Sequence, residues 1–243
     1  RIMFPIRDRR GRVIGFGGRV LDDSTPKYLN SPETTLFHKG SELYGLYEAR
    51  KHNRHLERLL VVEGYMDVIG LAQHGVNYAV ATLGTATTEQ HIKQLFRVCS
   101  EIIFCFDGDL AGQKAAWRAL ETTLPIIQDG WQAKFMFLPE KEDPDSFIRK
   151  EGKTAFESKI KEASSLSQFF FHHLKSLCNI SQLEGRAHLA NLAKQYIQKI
   201  NADFLRDLLL AELSKLTRMP IENLKSHIKV TVPTKNIPLH KIS

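Results

Sequence analysis

Three short apolar runs that each lead into carboxylates constrain the fold of this chain most. The run Leu-Leu-Val-Val at residues 59–62 stops at Glu63, and the run at residues 102–106 stops at Asp107-Gly-Asp109. A third run, at residues 134–138, is followed by Glu-Asp-Pro-Asp at residues 142–145. Such runs predict strands that are buried on both faces. In an open parallel sheet the carboxyl ends of the strands form the ligand crevice, so we expect these acids to converge there.

Strands and helices alternate from residue 57 to about residue 140, which predicts a parallel sheet with right-handed crossovers. Before this region, residues 1–22 predict a hairpin around a basic turn, residues 25–32 an ordered loop or edge segment, and residues 43–52 a helix. After it, the sequence is amphipathic and poor in glycine, which predicts a helical bundle. The predicted strands are 59–63, 78–82, 101–106 and 132–138; the predicted helices are 65–74, 87–99, 110–128, 147–161, 166–177, 182–199, 202–216 and 221–228.

The composition, with 42% hydrophobic residues, is that of an ordinary globular protein, and no apolar run is long enough to span a membrane. We expect a fragment of a longer protein, because the chain begins at Arg1 inside a hydrophobic and basic pattern. Cys99, Cys105 and Cys178 are isolated, and we expect buried thiols in a reducing compartment rather than disulfides or a zinc site.

The net charge of +7 is unevenly distributed. Residues 1–56 hold 11 Lys/Arg against 6 Asp/Glu, residues 57–147 hold 7 against 13, and residues 148–243 hold 16 against 8. An acidic centre between basic segments suits a metal-carboxylate site that serves a polyanion. Well-solvated basic helices explain the flanking charge equally well.

Most of the acids also have a purely structural explanation. The dipole of a helix that begins near residue 65 would favour Asp67, while Asp109 and Asp143 could cap helices. Glu63 is harder to explain in this way, because an acid that ends a dry strand is costly without a compensating cation. Six acids at strand ends are together explained better by divalent cations, and oxygen ligands without sulfur favour Mg²⁺ or Mn²⁺. Such a site suits phosphoryl or nucleotidyl transfer.

The segment Gly-Thr-Ala-Thr-Thr at residues 84–88 lies between the second predicted strand and its helix. Backbone amides and hydroxyls could contact an anion there, and a simple helix N-cap explains the threonines equally well. No Gly-x-x-x-x-Gly-Lys-Ser/Thr loop is present, which excludes a P-loop NTPase as the simple answer.

Glu-Gly-Tyr-Met-Asp at residues 63–67, followed by Asp-Gly-Asp at residues 107–109, resembles the Toprim domain of primases, topoisomerases and some nucleases. The preceding segments Phe-Pro-Ile-Arg-Asp (4–8), Pro-Lys-Tyr-Leu-Asn-Ser-Pro-Glu-Thr (26–34) and Phe-His-Lys-Gly (37–40) resemble DnaG-type bacterial primases. The resemblance covers most of residues 1–228. It implies a DNA-directed RNA polymerase that makes short RNA primers for replication, with one to three Mg²⁺ or Mn²⁺ ions as cofactor.

The resemblance also implies roles for individual residues. Glu63, Asp107 and Asp109 match the catalytic acids and principal metal ligands of the family, and Asp67, Asp143 and Asp145 match further acids of the same centre. Glu63 would be either a metal ligand or the base that takes a proton from the attacking hydroxyl. The positions that match nucleotide or template contacts are Arg19, Lys27, Tyr28, Asn30 and Lys39.

The resemblance implies an α/β fold. Its centre is a Toprim domain, with a mostly parallel four-stranded sheet flanked by helices. Part of a mixed α+β subdomain precedes this domain, and a helical bundle follows it. The expected boundaries are 1–56 for the N-terminal subdomain, 57–147 for the Toprim domain, 148–228 for the bundle and 229–243 for a linker or disordered tail. The family's zinc-binding domain and C-terminal helicase-binding domain are expected to lie outside the chain, so no zinc is expected in it.

The expected partners are a single-stranded DNA template, ribonucleoside triphosphates and the RNA primer. A replicative helicase and single-strand-binding protein are expected through or near the missing C-terminal region, and the location is the bacterial cytoplasm, at the replication fork and without membrane contact. Two other functions stay open. A Toprim nuclease would use the same acids to activate water, and a non-catalytic scaffold would bind nucleic acid through the basic segments alone.

Overall fold

The computed structural model describes residues 1–227 and divides into two compact units, residues 1–126 with 130–171, and residues 127–129 with the segment that starts at residue 172. In chain order the elements are β1 (Ile2–Arg7), β2 (Val13–Arg19), β3 (Tyr28–Asn30), α1 (Leu46–His52), β4 (Arg58–Val62), α2 (Tyr65–Gln73), β5 (Ala79–Ala81), α3 (Glu89–Phe96), β6 (Glu101–Phe106), α4 (Leu110–Thr123), β7 (Gln132–Phe137), α5 (Pro144–Lys161), β8 (Ser164–Ser165), α6 (Leu166–Ser176), α7 (Leu183–Ile197), α8 (Asp203–Thr217) and α9 (Ile221–His227).

The first sheet of the larger unit is antiparallel, with the strand order β1-β2-β3. The predicted hairpin is confirmed, and its basic turn closes on Asp8, whose carboxylate accepts hydrogen bonds from the backbone amides of Arg10 and Arg12 at 2.8 and 3.0 Å. The segment at residues 25–32, predicted to be an ordered loop or edge segment, supplies the edge strand β3. Tyr28 of β3 pairs with Arg19 of β2. This pairing sets the Arg19 guanidinium 5.6 Å from the centre of the Tyr28 ring.

The second sheet has the strand order β5-β4-β6-β7-β8. Its first four strands are parallel, as predicted, and the two-residue β8 adds an antiparallel edge beside β7. The chain passes from β4 outward to β5 and then back across β4 to β6. The strand order therefore reverses between β4 and β6, and this is the position where open α/β sheets bind ligands.

Side chains of alternate strand residues fill the core on both faces of this sheet. Leu60 and Ile103 are fully buried on the face that α2 covers, together with Phe156 and Ile160 of α5. Helix α5 falls in the range predicted for the helical bundle, yet its apolar residues pack in the core of the sheet. The domain boundary between residues 147 and 148 stays a prediction.

Aromatic rings pack in a continuous stack near the end of the larger unit. The Phe135 ring lies 4.6 Å from that of Phe169, and the Trp117 ring is parallel to that of Phe170 at 6.2 Å. Phe169, Phe170 and Phe171 are all buried, so this cluster serves packing.

The smaller unit contains α7, α8 and α9, with buried residues such as Leu189, Ile197 and Leu213 between them. Asp129 caps α8, because its carboxylate accepts hydrogen bonds from the backbone amides of Phe204 and Leu205. None of the helices in the described part of the chain is long and apolar enough to cross a bilayer.

All three cysteines are free thiols, as predicted. Cys99 and Cys105 are buried, but Cys178 is partly exposed, so the expectation that it is buried is wrong. Its sulfur lies 3.6 Å from Nδ1 of His188 at the start of α7. The predicted linker or tail at residues 229–243 lies outside the described residues.

The packing of α5 predicts the effect of a cavity. We expect Phe156→Ala to lower the free energy of unfolding by about 3–5 kcal/mol, because the fully buried ring leaves a void in the sheet's core. Urea unfolding followed by tryptophan fluorescence measures this, since Trp117 and Trp131 both lie in the larger unit. Phe204→Ala is the matched control, because Phe204 is 76% exposed. A loss below about 1 kcal/mol for Phe156→Ala would show that α5 is not part of this core.

Candidate functional site

Two carboxylates lie at the point where the strand order reverses. Glu63 follows β4 and Asp107 follows β6, and these strands are neighbours in the sheet. Among the described residues, neither carboxylate takes part in a hydrogen bond or an ion pair, although both line one cleft. Glu63 and Asp107 are therefore the acids of this site for which the fold supplies no partner.

The other four predicted acids each make a local contact. Asp67 accepts a hydrogen bond from the Gly64 amide at 3.0 Å, in the first turn of α2. Asp109 caps α4 by accepting from the Gly112 amide at 2.7 Å, and Asp143 caps α5 by accepting from the Ser146 amide at 2.6 Å. Asp145 forms an ion pair with Arg149 one turn along α5. The structural roles considered for Asp67, Asp109 and Asp143 are thus real, but these contacts leave carboxylate oxygens available for a ligand.

Two glycines allow the acid-bearing turns to approach their neighbours. Gly108 lies between Asp107 and Asp109, and a Cβ atom there would collide with the carbonyl oxygen of Leu138 after β7. A Cβ atom on Gly70 of α2 would collide with the Asp145 carboxylate. These positions need glycine because of close packing, and they bring the β6–α4 turn and the start of α5 to the same edge of the sheet.

The acids are close enough to change one another's ionisation. The pKa of Glu63 is raised by burial in the cleft and then by the charges of Asp107 and Asp109. The pKa of Asp107 is raised by burial and by Asp109 and Asp143. Burial, followed by repulsion from Asp143, raises the pKa of Asp67 from 3.8 to about 7. These shifts mean that concentrated negative charge at this edge lacks sufficient positive compensation from the protein.

The donor set fits a hard divalent cation. All six candidate ligands are carboxylates, and Mg²⁺ or Mn²⁺ prefers oxygen ligands and retains water or phosphate oxygens in its remaining positions. Within residues 1–227 no three His, Cys, Asp or Glu side chains are arranged closely enough to hold an ion as they stand. Five of the six acids line a common cleft, whereas the predicted ligand Asp109 does not. They do not form a finished coordination sphere, and side-chain rotation would be needed to complete one.

Cationic and aromatic side chains form the opposite wall of the same cleft. Arg19 of β2, Tyr28 of β3 and Lys27 just before β3 line it. The cleft has a volume of about 390 Å³, and its other lining residues include Glu63, Asp67, Asp107, Asp143 and Asp145. Arg149 lines it too, although the sequence analysis did not identify this residue. Its place one turn after Asp145 on a helix is the signal that could have found it.

Two predicted contact residues, Asn30 and Lys39, do not line this cleft. The Asn30 side-chain amide donates to the carbonyl oxygen of Leu83 at 3.0 Å, and the Lys39 backbone contacts Glu33 and His91. Their roles in binding stay predictions.

Tyr65, for which the sequence predicted no role, packs the first sheet against the second sheet. The Tyr65 hydroxyl donates to the carbonyl oxygen of Gly18 at 3.2 Å. Its ring packs against Phe4, Tyr28 and Tyr44 with centre distances of 5.0, 5.5 and 5.7 Å. Because Tyr65 lies two residues after Glu63, these contacts join the first sheet to the segment that carries this acid.

Three protein-family models match the chain in succession. Residues 1–50 match the N-terminal domain of the DNA primase catalytic core, and residues 60–148 match a Toprim-like domain. Residues 167–222 match the DnaB-helicase binding domain of primase. The last match corrects the expectation that the helicase-binding domain lies outside the chain, because a segment similar to it is present here.

Named relatives agree with these models. A DNA primase of Pseudomonas aeruginosa is 60% identical over 225 residues, which are 92% of this chain and 34% of the relative, and a DNA primase of Escherichia coli K12 is 60% identical over 88% of this chain and 37% of its own length. The chain thus spans about a third of the length of these curated relatives.

Solved structures are similar over nearly the same region. A crystal structure of a DNA primase domain from Pseudomonas aeruginosa is 59% identical, with a TM-score of 0.90 over 92% of this chain and 70% of that one. A DnaG primase catalytic domain bound to single-stranded DNA is 56% identical, with a TM-score of 0.89 over 92% of this chain and 71% of that one. With the Toprim fold, the acidic edge and these likenesses established, the chain belongs to the DnaG-type bacterial DNA primases and carries part of their catalytic core.

Proposed function

We propose that this chain carries out template-directed nucleotidyl transfer and makes short RNA primers on single-stranded DNA. The observation that carries the proposal is the cleft that Glu63 and Asp107, both without partners among residues 1–227, line together with Arg19 and Lys27. A nuclease of the Toprim type would need the acids but would leave this cationic wall unexplained. A non-catalytic scaffold would need the cationic wall but not the acids.

Toprim domains of primases generally use divalent metal ions, and the carboxylates described above fit that requirement. We propose that Glu63, Asp107 and Asp109 are the principal ligands of Mg²⁺ or Mn²⁺, with Asp67, Asp143 and Asp145 as further acids of the centre. When bound, such ions would neutralise phosphate charge and help to ionise the attacking hydroxyl.

The protein's own residues would then bind and orient the reactants. Lys27 would neutralise triphosphate charge, and the Arg19 guanidinium can hold a phosphate through two hydrogen bonds. In the reaction the oxygen of a 3′-hydroxyl bonds to the α-phosphorus of a ribonucleoside triphosphate, the bond from that phosphorus to the pyrophosphate oxygen breaks, and the hydroxyl proton leaves. Glu63 is either a ligand or the acceptor of that proton, and its raised pKa suits the second role.

The partners proposed from the family are single-stranded DNA, ribonucleoside triphosphates, the growing RNA primer and single-strand-binding protein, all at the bacterial replication fork in the cytoplasm. A replicative helicase is a further proposed partner, and the segment similar to the DnaB-binding domain supports it. The ssDNA complex of a 56% identical catalytic domain supports the template proposal.

The first prediction concerns Asp107. We expect Asp107→Asn to reduce template-dependent ribonucleotide incorporation with Mg²⁺ or Mn²⁺ by at least ~100-fold, because it removes a charge that would stabilise the bound ions. Extension of a radiolabelled RNA primer on single-stranded DNA measures this. Asp23→Asn is the control, since Asp23 is exposed and outside the cleft. Equal incorporation by the unmodified chain and Asp107→Asn, or DNA cleavage in place of incorporation, would contradict the proposal.

A second prediction separates polymerase from nuclease. Lys27→Ala should raise KM for the ribonucleoside triphosphate by about 10-fold, through loss of one charge-assisted phosphate contact. The control is Lys51→Ala, which removes an exposed lysine of α1 away from the cleft. Steady-state extension rates over a range of triphosphate concentrations give KM for both variants. An unchanged KM in Lys27→Ala would remove the role of the cationic wall in nucleotide binding.

A third prediction concerns pH and metal together. In metal-free protein the folded-state pKa of Asp67, about 7, exceeds its ordinary value of 3.8, so the folded state binds this proton more tightly than the unfolded state. Its contribution to stability is therefore present below pH 3.8 and lost as the pH rises through about 7. With EDTA, we expect Tm to fall between about pH 5 and about pH 8, and to fall less steeply in Asp67→Asn.

Added Mg²⁺ or Mn²⁺ should raise Tm more at about pH 8 than at about pH 5, because ionised carboxylates bind the ion more strongly. Differential scanning calorimetry measures both effects, and Asp23→Asn serves as the matched control. The metal-site proposal fails if the cations leave Tm unchanged at both pH values.

A further inference from the structure

A second cleft lies on the other side of Glu63. It has a volume of about 350 Å³ and is lined by the ends of β4 and β6, by the segment at residues 84–87 and by Ala115 and Arg118 of α4. We name this second cleft the Thr85 cleft. Among the described residues outside the strands, Glu63 alone lines both the Thr85 cleft and the acidic cleft. The function described above does not use the Thr85 cleft.

The segment at residues 84–88 is only partly explained as a helix cap. Thr88 caps α3, because its hydroxyl oxygen accepts a hydrogen bond from the His91 amide at 3.2 Å and donates to the carbonyl oxygen of Gly40 at 2.6 Å. Thr85 has no such role. Its hydroxyl oxygen is buried and has no hydrogen-bond partner within the part of the chain that the structure describes. A buried hydroxyl without a partner is destabilising, so this group is better explained by a ligand that supplies the missing hydrogen bond.

The Thr85 cleft also has a cationic side chain in its lining. Arg118 is exposed on α4, and no ion pair between described residues includes it. Gly84, with a φ of 72°, turns the chain sharply at the entrance to the segment that faces this arginine. The Arg118 guanidinium and the Thr85 hydroxyl line one cleft and together suit an anion. Phosphate matches the geometry of a guanidinium especially well.

The floor of the Thr85 cleft is apolar. It consists of Val61 of β4 with Phe104 and Phe106 of β6, and the small side chain of Ala115 leaves space above them. The volume falls within the range of roughly 300–1,000 Å³ that is usual for small-molecule sites. An apolar floor with a phosphate-binding rim fits a nucleotide, whose base and sugar are flat and whose phosphate is charged.

The position of the cleft limits which nucleotide it can hold. In the proposed function the acidic cleft and its cationic wall hold the triphosphate, so a nucleotide in the Thr85 cleft would lie on the opposite side of Glu63. We infer that the Thr85 cleft binds the nucleotide that supplies the attacking 3′-hydroxyl, with its 5′-phosphate on Arg118 and Thr85. Its hydroxyl oxygen would bond to the α-phosphorus of the triphosphate as pyrophosphate leaves, with the proton released toward Glu63. This inference rests on the proposed function.

Binding of a nucleoside monophosphate tests the inference without catalysis. Adenosine 5′-monophosphate, titrated into the metal-free chain in a calorimeter, should bind about 10-fold more weakly to Arg118→Ala and also more weakly to Thr85→Val. Lys114→Ala is the matched control, because Lys114 is exposed one turn earlier on α4 and outside both clefts. Equal affinity in the unmodified chain, Arg118→Ala and Thr85→Val would overturn the inference.

Kinetics then separate this inference from the proposed function. In primer extension, Arg118→Ala should raise KM for a 5′-phosphorylated dinucleotide primer and leave KM for the triphosphate unchanged, the reverse of the pattern expected for Lys27→Ala. Incorporation that depends on Asp107 but shows no change in primer KM in Arg118→Ala would overturn the inference and leave the polymerase function intact. Monophosphate binding that needs Arg118, in a chain that incorporates no ribonucleotide, would keep the cleft as a nucleotide site but overturn both the polymerase function and the assignment of this nucleotide as the attacking one.

Discussion

Repulsion between carboxylates at one edge of a parallel sheet is the constraint on which the rest of the structure depends. Strands β4 and β6 end side by side and are followed by Glu63 and Asp107, whose carboxylates pair with no other residue that the structure describes. Burial and mutual repulsion raise the pKa values of Glu63, Asp107 and Asp67, so the metal-free edge is electrostatically unfavourable at neutral pH. A bound divalent cation would relieve this repulsion, and phosphate chemistry would use the same cation. Stability and proposed function would thus depend on the same ion.

One aromatic residue, Tyr65, joins the acidic edge to the sheet that carries the cationic wall. Tyr65 begins α2, directly after the Glu63-Gly64 turn, and its hydroxyl and ring hold the three-stranded sheet in place. Arg19 and Lys27 line the same cleft as these acids. A triphosphate bridges such a cleft well, since cations bound to the acids and the protein's basic groups can share its charge.

Much of this arrangement could be predicted from the sequence, because buried strands and helix caps leave local signals. The apolar runs that end at Glu63 and Asp107 predicted both the strands and the edge at which the acids lie. The order of the strands could not be predicted, since pairing between β4 and β6 depends on contacts distant in sequence. Amphipathicity identified α5 as a helix but could not indicate that Phe156 packs against the sheet, because the pattern gives the apolar face and not its partner. Tyr65 was missed because a tyrosine shows its role only through its neighbours in space. The segment that contains Thr85 was identified, but its sequence could not decide between an anion contact and a helix cap.

The central claim is that Glu63, Asp107 and Asp109 share a divalent ion. Crystals of this chain soaked in Mn²⁺, with diffraction collected at the manganese absorption edge, test it most directly. The account predicts an anomalous peak within about 2.0–2.6 Å of carboxylate oxygens from these three residues, and loss of that peak in Asp107→Asn. Manganese bound elsewhere, or a peak that persists unchanged in the variant, would contradict it.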